Sequence, residues 1–361
     1  MTPVCRITVD DVPVSDEFMN RIISCEVTDK EGVSSDTCSI QLNDWPCAEI
    51  PRKGAIIRIW MGYEGNVAYM GAFAAEDIEV EMLPHSMSIT GKAAEMRGKI
   101  KEGKERHWDD KPLKDIIGEI ASDHGLTPLV DESIGQYQYD WLGQMGESDA
   151  HFLERLAERH GALFSIKDRK LIFAGRASGK SASGTDLTPV IVTPEIVQPG
   201  SAKVRFSDRT SHKSVKATYT DRSKASRVEV ETESDPDGVA DYILPEQYAD
   251  EAEAKAAAQS VAGALLRRQV TFSCEIVGNP AARAGAPLTF ERCRPGVDGI
   301  PFIIQTAAHK FSKSGYTVSL DGESKDGAKE QRAKIKEKKS RDGSGLRYGP
   351  DPDGFADGVV L

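Results

Sequence analysis

The feature that most constrains this chain is a change of hydrophobic period, from two to 3.6 and back again. Residues 1 to about 97 alternate apolar and polar positions in short runs, "CRITV", "DTCSIQLN", "AIIRIWMG", "VAYMGAFAAEDIEVEM" and "HSMSITGK", broken by Gly, Pro and Asp. Alternation buries one face of a strand, and turn residues roughly every eight to twelve positions mark an antiparallel sandwich or barrel. From about 98 to 175 the spacing becomes helical. In "DDKPLKDIIGEIASDHG", Leu113, Ile116, Ile117, Ile120 and Ala121 form one stripe between a proline and Gly125. In "ESDAHFLERLAERHG", Ser148 is placed to cap a second helix, Asp149 to meet its dipole, and Gly161 to end it. The stripe of that helix, Phe152, Leu153, Leu156 and Ala157, is expected to pack on a hairpin "ALFSI-KDRK-LIF" through Leu163, Ile166, Leu171 and Phe173.

After a Gly/Ser-rich stretch, strand signals return in "AKVRFSD", "SVKATYT", "QVTFSCEIVG", "APLTFER", "PFIIQTAAHKF" and "YTVSLDG". The alanine-rich run "ADEAEAKAAAQSVAGALLRR" predicts a helix packed on that second barrel or sandwich. The fold class expected is α+β and mainly β. Its divisions are a first β-domain at 1–97, a small α+β domain at 98–175, a linker at 176–184, a second β-domain at 185–322 and a tail at 323–361.

Composition narrows the function. The 361 residues are 39% hydrophobic and 29% charged, and they contain no apolar run near the roughly 20 residues a spanning helix needs. No membrane insertion is expected, and "MTPVCRITVDDVPV" lacks the pattern of a signal peptide, which points to assembly in a cytoplasm. A net charge of −11 argues against specific nucleic-acid binding. The one basic stretch, "KEQRAKIKEKKSR", mixes cations with glutamates and reads as a solvated helix. Of six cysteines, Cys5, Cys25, Cys38 and Cys274 lie in strand-like runs and are expected to be reduced core residues.

Three patterns suggest chemistry, and each fails on spacing or on setting. "LIFAGRASGKSASG" resembles a phosphate cradle, but Ala174 stands where the first glycine of a P-loop belongs, and "ASGTDLTPVIVTP" cannot continue as a helix. His151 and His160 sit nine residues apart, about 900° around a helix, and cannot ligate one metal together. His160 and His124 are instead expected to cap helix C-termini with their imidazoles. "GSGLR" lacks the strand-turn-helix setting of a nucleophile elbow. No catalytic residue, cofactor or metal is assigned.

The order of these pieces resembles the late control protein D, or baseplate hub, family of contractile phage tails. "KPLKDIIGEIASDHGL" is similar to that family's first middle-domain helix. "MGESDAHFLERLAERHGALFSIKDRKLIF" is similar to its helix-plus-hairpin block, and "GIPFIIQTAAHKFSKSGYTVSLDG" to its last strand pair. The resemblance covers about residues 1 to 322. It implies a non-enzymatic homotrimer whose two tube-protein-like β-domains per chain form a pseudo-hexameric ring. Such a ring adapts the sixfold tail tube to the threefold central spike and lets DNA or cargo pass. The implied partners are a separate central spike protein, the tail tube or tube-initiator protein, the tape measure protein and baseplate wedge proteins. The implied location is the virion baseplate. Rival readings are the hub of a secretion-type or bacteriocin injection particle and a hub with cell-wall lytic activity. In the tail, Leu346, Tyr348, Phe355 and Leu361 are spaced along a Gly/Asp/Pro linker as candidate docking anchors.

Overall fold

The structure, a computed structural model, describes residues 2–32, 36–93, 99–167, 169–176, 187–209, 211–221, 226–327, 347–349 and 358–360. The first half opens with β1 (Pro3–Val9) and β2 (Val12–Pro13), joined through Asp10 and Asp11, both at positive φ. It continues with α1 (Asp16–Arg21), β3 (Ile22–Lys30), β4 (Thr37–Asn43), β5 (Ile56–Tyr63), the long β6 (Asn66–Met82) and β7 (His85–Ala93). Its strands are ordered β3-β4-β7-β6-β5-β1-β2 across the sheet.

The last third repeats that plan. It contains β13 (Val190–Val192), β14 (Lys203–Phe206), β18 (Val270–Val277), β19 (Pro287–Phe290), β20 (Phe302–Ser312) and β21 (Gly315–Ser324). The order β14-β18-β21-β20, with β19 beside β20 and β13 beside β19, follows β3-β4-β7-β6-β5-β1 strand for strand. Local detail repeats as well. Each long strand carries a bulge, at Glu76 and at Gln305, and the partner strand places a glycine opposite the residue before it, Gly91 facing Ala75 and Gly322 facing Ile304. A Cβ on Gly91 would lie 3.0 Å from the Ala74 carbonyl oxygen, and one on Gly322 2.1 Å from that of Ile303. Gly54 and Gly285, both at positive φ, each donate to the long strand, at the carbonyls of Ala75 and Ile304. In the sheet itself β13 departs from the plan, running parallel to β19 whereas β1 runs antiparallel to β5.

The two β-rich regions that alternation predicts meet edge to edge in the structure. Thr306–Ser312 of β20 pair antiparallel with Lys30–Ser24 of β3, so the two halves form one thirteen-stranded sheet over one core. Phe73, Ile59 and Val27 of the first half and Phe302, Phe290 and Leu320 of the second lie in that core, each almost fully buried.

The middle region comprises β8 (Gly103–Pro112), α2 (Leu113–Asp123), β9 (Thr127–Val130), α3 (Glu132–Gly135), β10 (Gln138–Ser148), α4 (Asp149–Arg159), β11 (Ala162–Lys167) and β12 (Lys170–Gly175). Both predicted helical stripes are buried in its core, Ser148 Oγ accepts from the His151 amide, and Gly161 has φ 61°. The hairpin forms, with Phe164 and not Leu163 facing α4. Leu163 points the other way, toward Gly32 of the first half, because successive residues of a strand alternate faces.

The alanine-rich helix α5 (Glu251–Arg267) forms within the second β-rich region, on strands that stand apart from the large sheet. It covers a separate three-stranded sheet of β15 (Ser214–Asp221), β16 (Ser226–Glu233) and β17 (Tyr242–Tyr248), burying Ala254, Ala257, Ala258 and Leu265 against Val215, Ala217 and Tyr248. The fold does not stop at 322. β21 continues to Ser324, and Glu323 accepts from Arg267 Nε at 2.9 Å. Farther on, β22 (Arg347–Gly349) pairs with β23 (Gly358–Val360), Tyr348 opposite Val359.

Candidate assembly surfaces

Charged groups inside this molecule are used to fasten units together. Asp149, with no exposed surface, lies at the start of α4, where the helix N-terminus favours its charge. Its carboxylate accepts from Lys104 Nζ at 2.7 Å, Arg106 Nη2 at 2.5 Å and Gln144 Nε2 at 2.9 Å, and lies 2.7 Å from His124 Nε2. Burial raises its pKa, but these partners outweigh that effect and hold it below the ordinary carboxylate range. The β8–β10 ribbon is thereby tied to both helices. The His124 imidazole consequently reaches Asp149 and not the helix carbonyls, which corrects its predicted capping role.

His160 differs from expectation in the same way. Its Nε2 lies 2.7 Å from the Tyr139 hydroxyl, and burial pushes its pKa down to about 4, leaving the ring neutral near pH 7. Tyr139 also reaches Glu253, which pairs with Arg159 at 3.0 Å and fastens α4 to α5. On the opposite side, Lys167 of the hairpin pairs with Asp29 and, at 3.3 Å, with Asp36, both in the first half, while Asp29 also accepts from the Ala284 amide of the second half at 3.1 Å. These groups border a cavity of about 340 Å³ where all three units meet. Burial and the charge of Asp29 push Asp36 up to about 6.

The sequence patterns weighed for chemistry fare differently. Ala174 lies within β12, paired with Leu163, so the strand runs past the point where a P-loop would have to turn. Lys180 lies outside the described residues. Cys5, Cys25, Cys38 and Cys274 are buried, and among the described residues no group of three or more His, Cys, Asp or Glu side chains is placed to hold a metal ion. Of the candidate tail anchors, Leu346, Phe355 and Leu361 lie outside the described residues, and Tyr348 is placed only by its backbone in β22.

Outward-facing features are the sheet edges and apolar side chains that sequence reasoning missed. Past Ala74, β6 pairs with β7 alone among named strands, and it carries Val80 and Met82 at 38% and 79% exposure. At the far end of the same sheet β14 pairs only with β18 and presents Phe206, half exposed. An open edge bearing apolar side chains is a surface built to pair.

The comparisons agree with this architecture. A family model for the phage tail baseplate hub (GPD) matches residues 47–315. A probable baseplate hub protein of Escherichia phage 186 is 26% identical over 364 residues, covering 90% of this chain and 94% of the relative. Among solved structures, the 43 kDa tail protein of prophage MuSo2 from Shewanella oneidensis superposes with a TM-score of 0.68 at 14% identity, covering 89% of this chain and 98% of that one. An E. coli component of the type VI secretion system superposes at 0.54 with 11% identity, covering 88% of this chain and 76% of that one. With three quarters of its length matched by the family model, the chain belongs to the phage tail baseplate hub (GPD) family.

Proposed function

We propose that the protein is the structural, non-enzymatic hub of a contractile-tail baseplate, working in the virion as a ring of three chains. The observation that carries this reading is the internal repeat of six strands in the same order. Three chains with two like halves present six quasi-equivalent positions to a sixfold tail tube while keeping threefold symmetry for a central spike. DNA or cargo passes through the ring, and the net charge of −11 suits a wall that a polyanion must cross without sticking. The buried ionic joints support the same role, since they fix the units against each other. Partners are the spike, the tube or tube-initiator, the tape measure and the wedge proteins. The tail beyond 341 docks on a neighbouring chain or on the spike.

Mass measurement in solution tests the ring. A trimer, alone or with the spike protein, is the expected result, and a strict monomer under both conditions refutes it. A zymogram on peptidoglycan should show no clearing; a cleared band would establish a lytic hub instead. Deleting 342–361 should weaken spike recruitment and leave the hub folded, and unchanged co-purification would rule out the docking role.

A further inference from the structure

We infer that neighbouring chains join edge to edge, the distal half of β6 in one copy pairing antiparallel with β14 of the next. This rests on the ring proposed above and specifies its seam.

The chain already contains one such seam. Where the halves meet, β3 pairs with β20, placing Glu26 opposite Lys310, Val27 opposite His309 and Asp29 opposite Ala307. The repeat carries each partner onto an equivalent strand. Val27 and Val204 correspond, because each pairs with the residue, Cys38 or Phe272, that faces the equivalent glycine of its half, Gly91 or Gly322. His309 and Val80 correspond, because they lie opposite Val318 and Met87, each four residues before that glycine. The equivalents of β3 and β20 are therefore β14, at one end of the double sheet, and distal β6, which past Ala74 has left its pairing with β5.

Laying the internal register on those edges gives a specific set of neighbours. Lys203 falls opposite Glu81, and Arg205 opposite Glu79. Val204 falls opposite Val80, and Phe206 opposite Ile78. Both charged pairs are of opposite sign, and they share one face of the seam. The apolar pairs share the other face, which continues the core side of the sheet. Glu79, Glu81, Lys203 and Arg205 are all exposed, and directly opposed charges of unlike sign stabilise a strand pair whereas like charges oppose it. The same pattern selects the partner edge. Two β6 edges would set carboxylate against carboxylate, and two β14 edges cation against cation. Only a head-to-tail contact pairs unlike edges, and a head-to-tail contact is the kind that builds a ring when its rotation closes, as the threefold ring proposed above requires. The pairing also covers the exposed Val80 and Phe206.

Charge exchange in the full chain tests the register. Glu79→Lys with Glu81→Lys should weaken self-association at least about tenfold, as should Lys203→Glu with Arg205→Glu. All four changes together should restore it, with circular dichroism unchanged throughout. In a second arm, Glu79→Cys combined with Arg205→Cys should give a covalent three-chain species under diamide. The register-shifted pair Glu79→Cys with Lys203→Cys should give little. A wild-type trimer that ignores both charge reversals, or a folded quadruple variant that stays dissociated, overturns the seam and leaves the ring standing. A wild-type chain that remains a monomer even with the spike protein removes the ring and the seam together.

Discussion

Gly322 shows how much can depend on one missing side chain. Its backbone passes so close to the Ile303 carbonyl that a Cβ would sit 2.1 Å from the oxygen, whereas at the equivalent Gly91 the gap is 3.0 Å. Gly322→Ala must therefore move backbone, and an overpacking cost of roughly 1–3 kcal/mol or more is expected. Gly91→Ala should cost measurably less, and urea unfolding of the two variants checks the order. Asp36 offers a second test, through pH. Its pKa of about 6 stands above the ordinary 3.8, so between those values the folded state holds more protons than the unfolded one. Its contribution to stability is therefore present at low pH and is lost as pH rises through 6. Asp36→Asn keeps the acceptor for the Lys30 amide and cannot ionise, so it should raise Tm at pH 7.5 relative to wild type and close that gap near pH 4. An equal Tm difference at both pH values would show that Asp36 does not titrate as described.

At the scale of elements, the second middle helix was legible because its signals are local. Ser148, Asp149, Gly161 and the stripe around Leu156 are all read within fifteen residues, and the capping geometry matches. Leu156 is fully buried in the middle core, so Leu156→Ala should cost about 2–5 kcal/mol by chemical denaturation. A change near zero would mean that α4 turns another face inward. The β8–β10 ribbon was not legible. In "KERHWDDKP" the same face of the strand carries Lys104, Arg106 and Trp108, and the first two turn inward to meet Asp149, so no apolar alternation advertises the strand. The imidazoles of His124 and His160 were misread for a related reason. Their places beside Gly125 and Gly161 are local facts, while Asp149 and Tyr139 reach them only through the tertiary fold.

For the whole molecule, alternation revealed both β-rich regions and hid their union. Nothing in "SCEVTDK" says that its partner is "TAAHKFS", because strand pairing across that separation depends on edges matching after each half has formed. The repeat is equally well hidden. "EVEM" and "AHKF" occupy equivalent places without resembling each other, and the shared backbone requirements survive mainly as glycines. Since the halves share one core, residues 1–97 expressed alone should be insoluble or lack near-UV circular dichroism, and co-expression with 98–361 should rescue them. A soluble, cooperatively unfolding fragment would contradict the shared core. The β3–β20 seam has a further cost during synthesis. Thr306 leaves the ribosome 276 residues after Lys30 (306 − 30), which at about 5–20 residues per second is on the order of 14–55 s. Throughout that interval β3 is a finished strand with a bare edge in a crowded cell, and the chain must outlast its own translation before its sheet is whole.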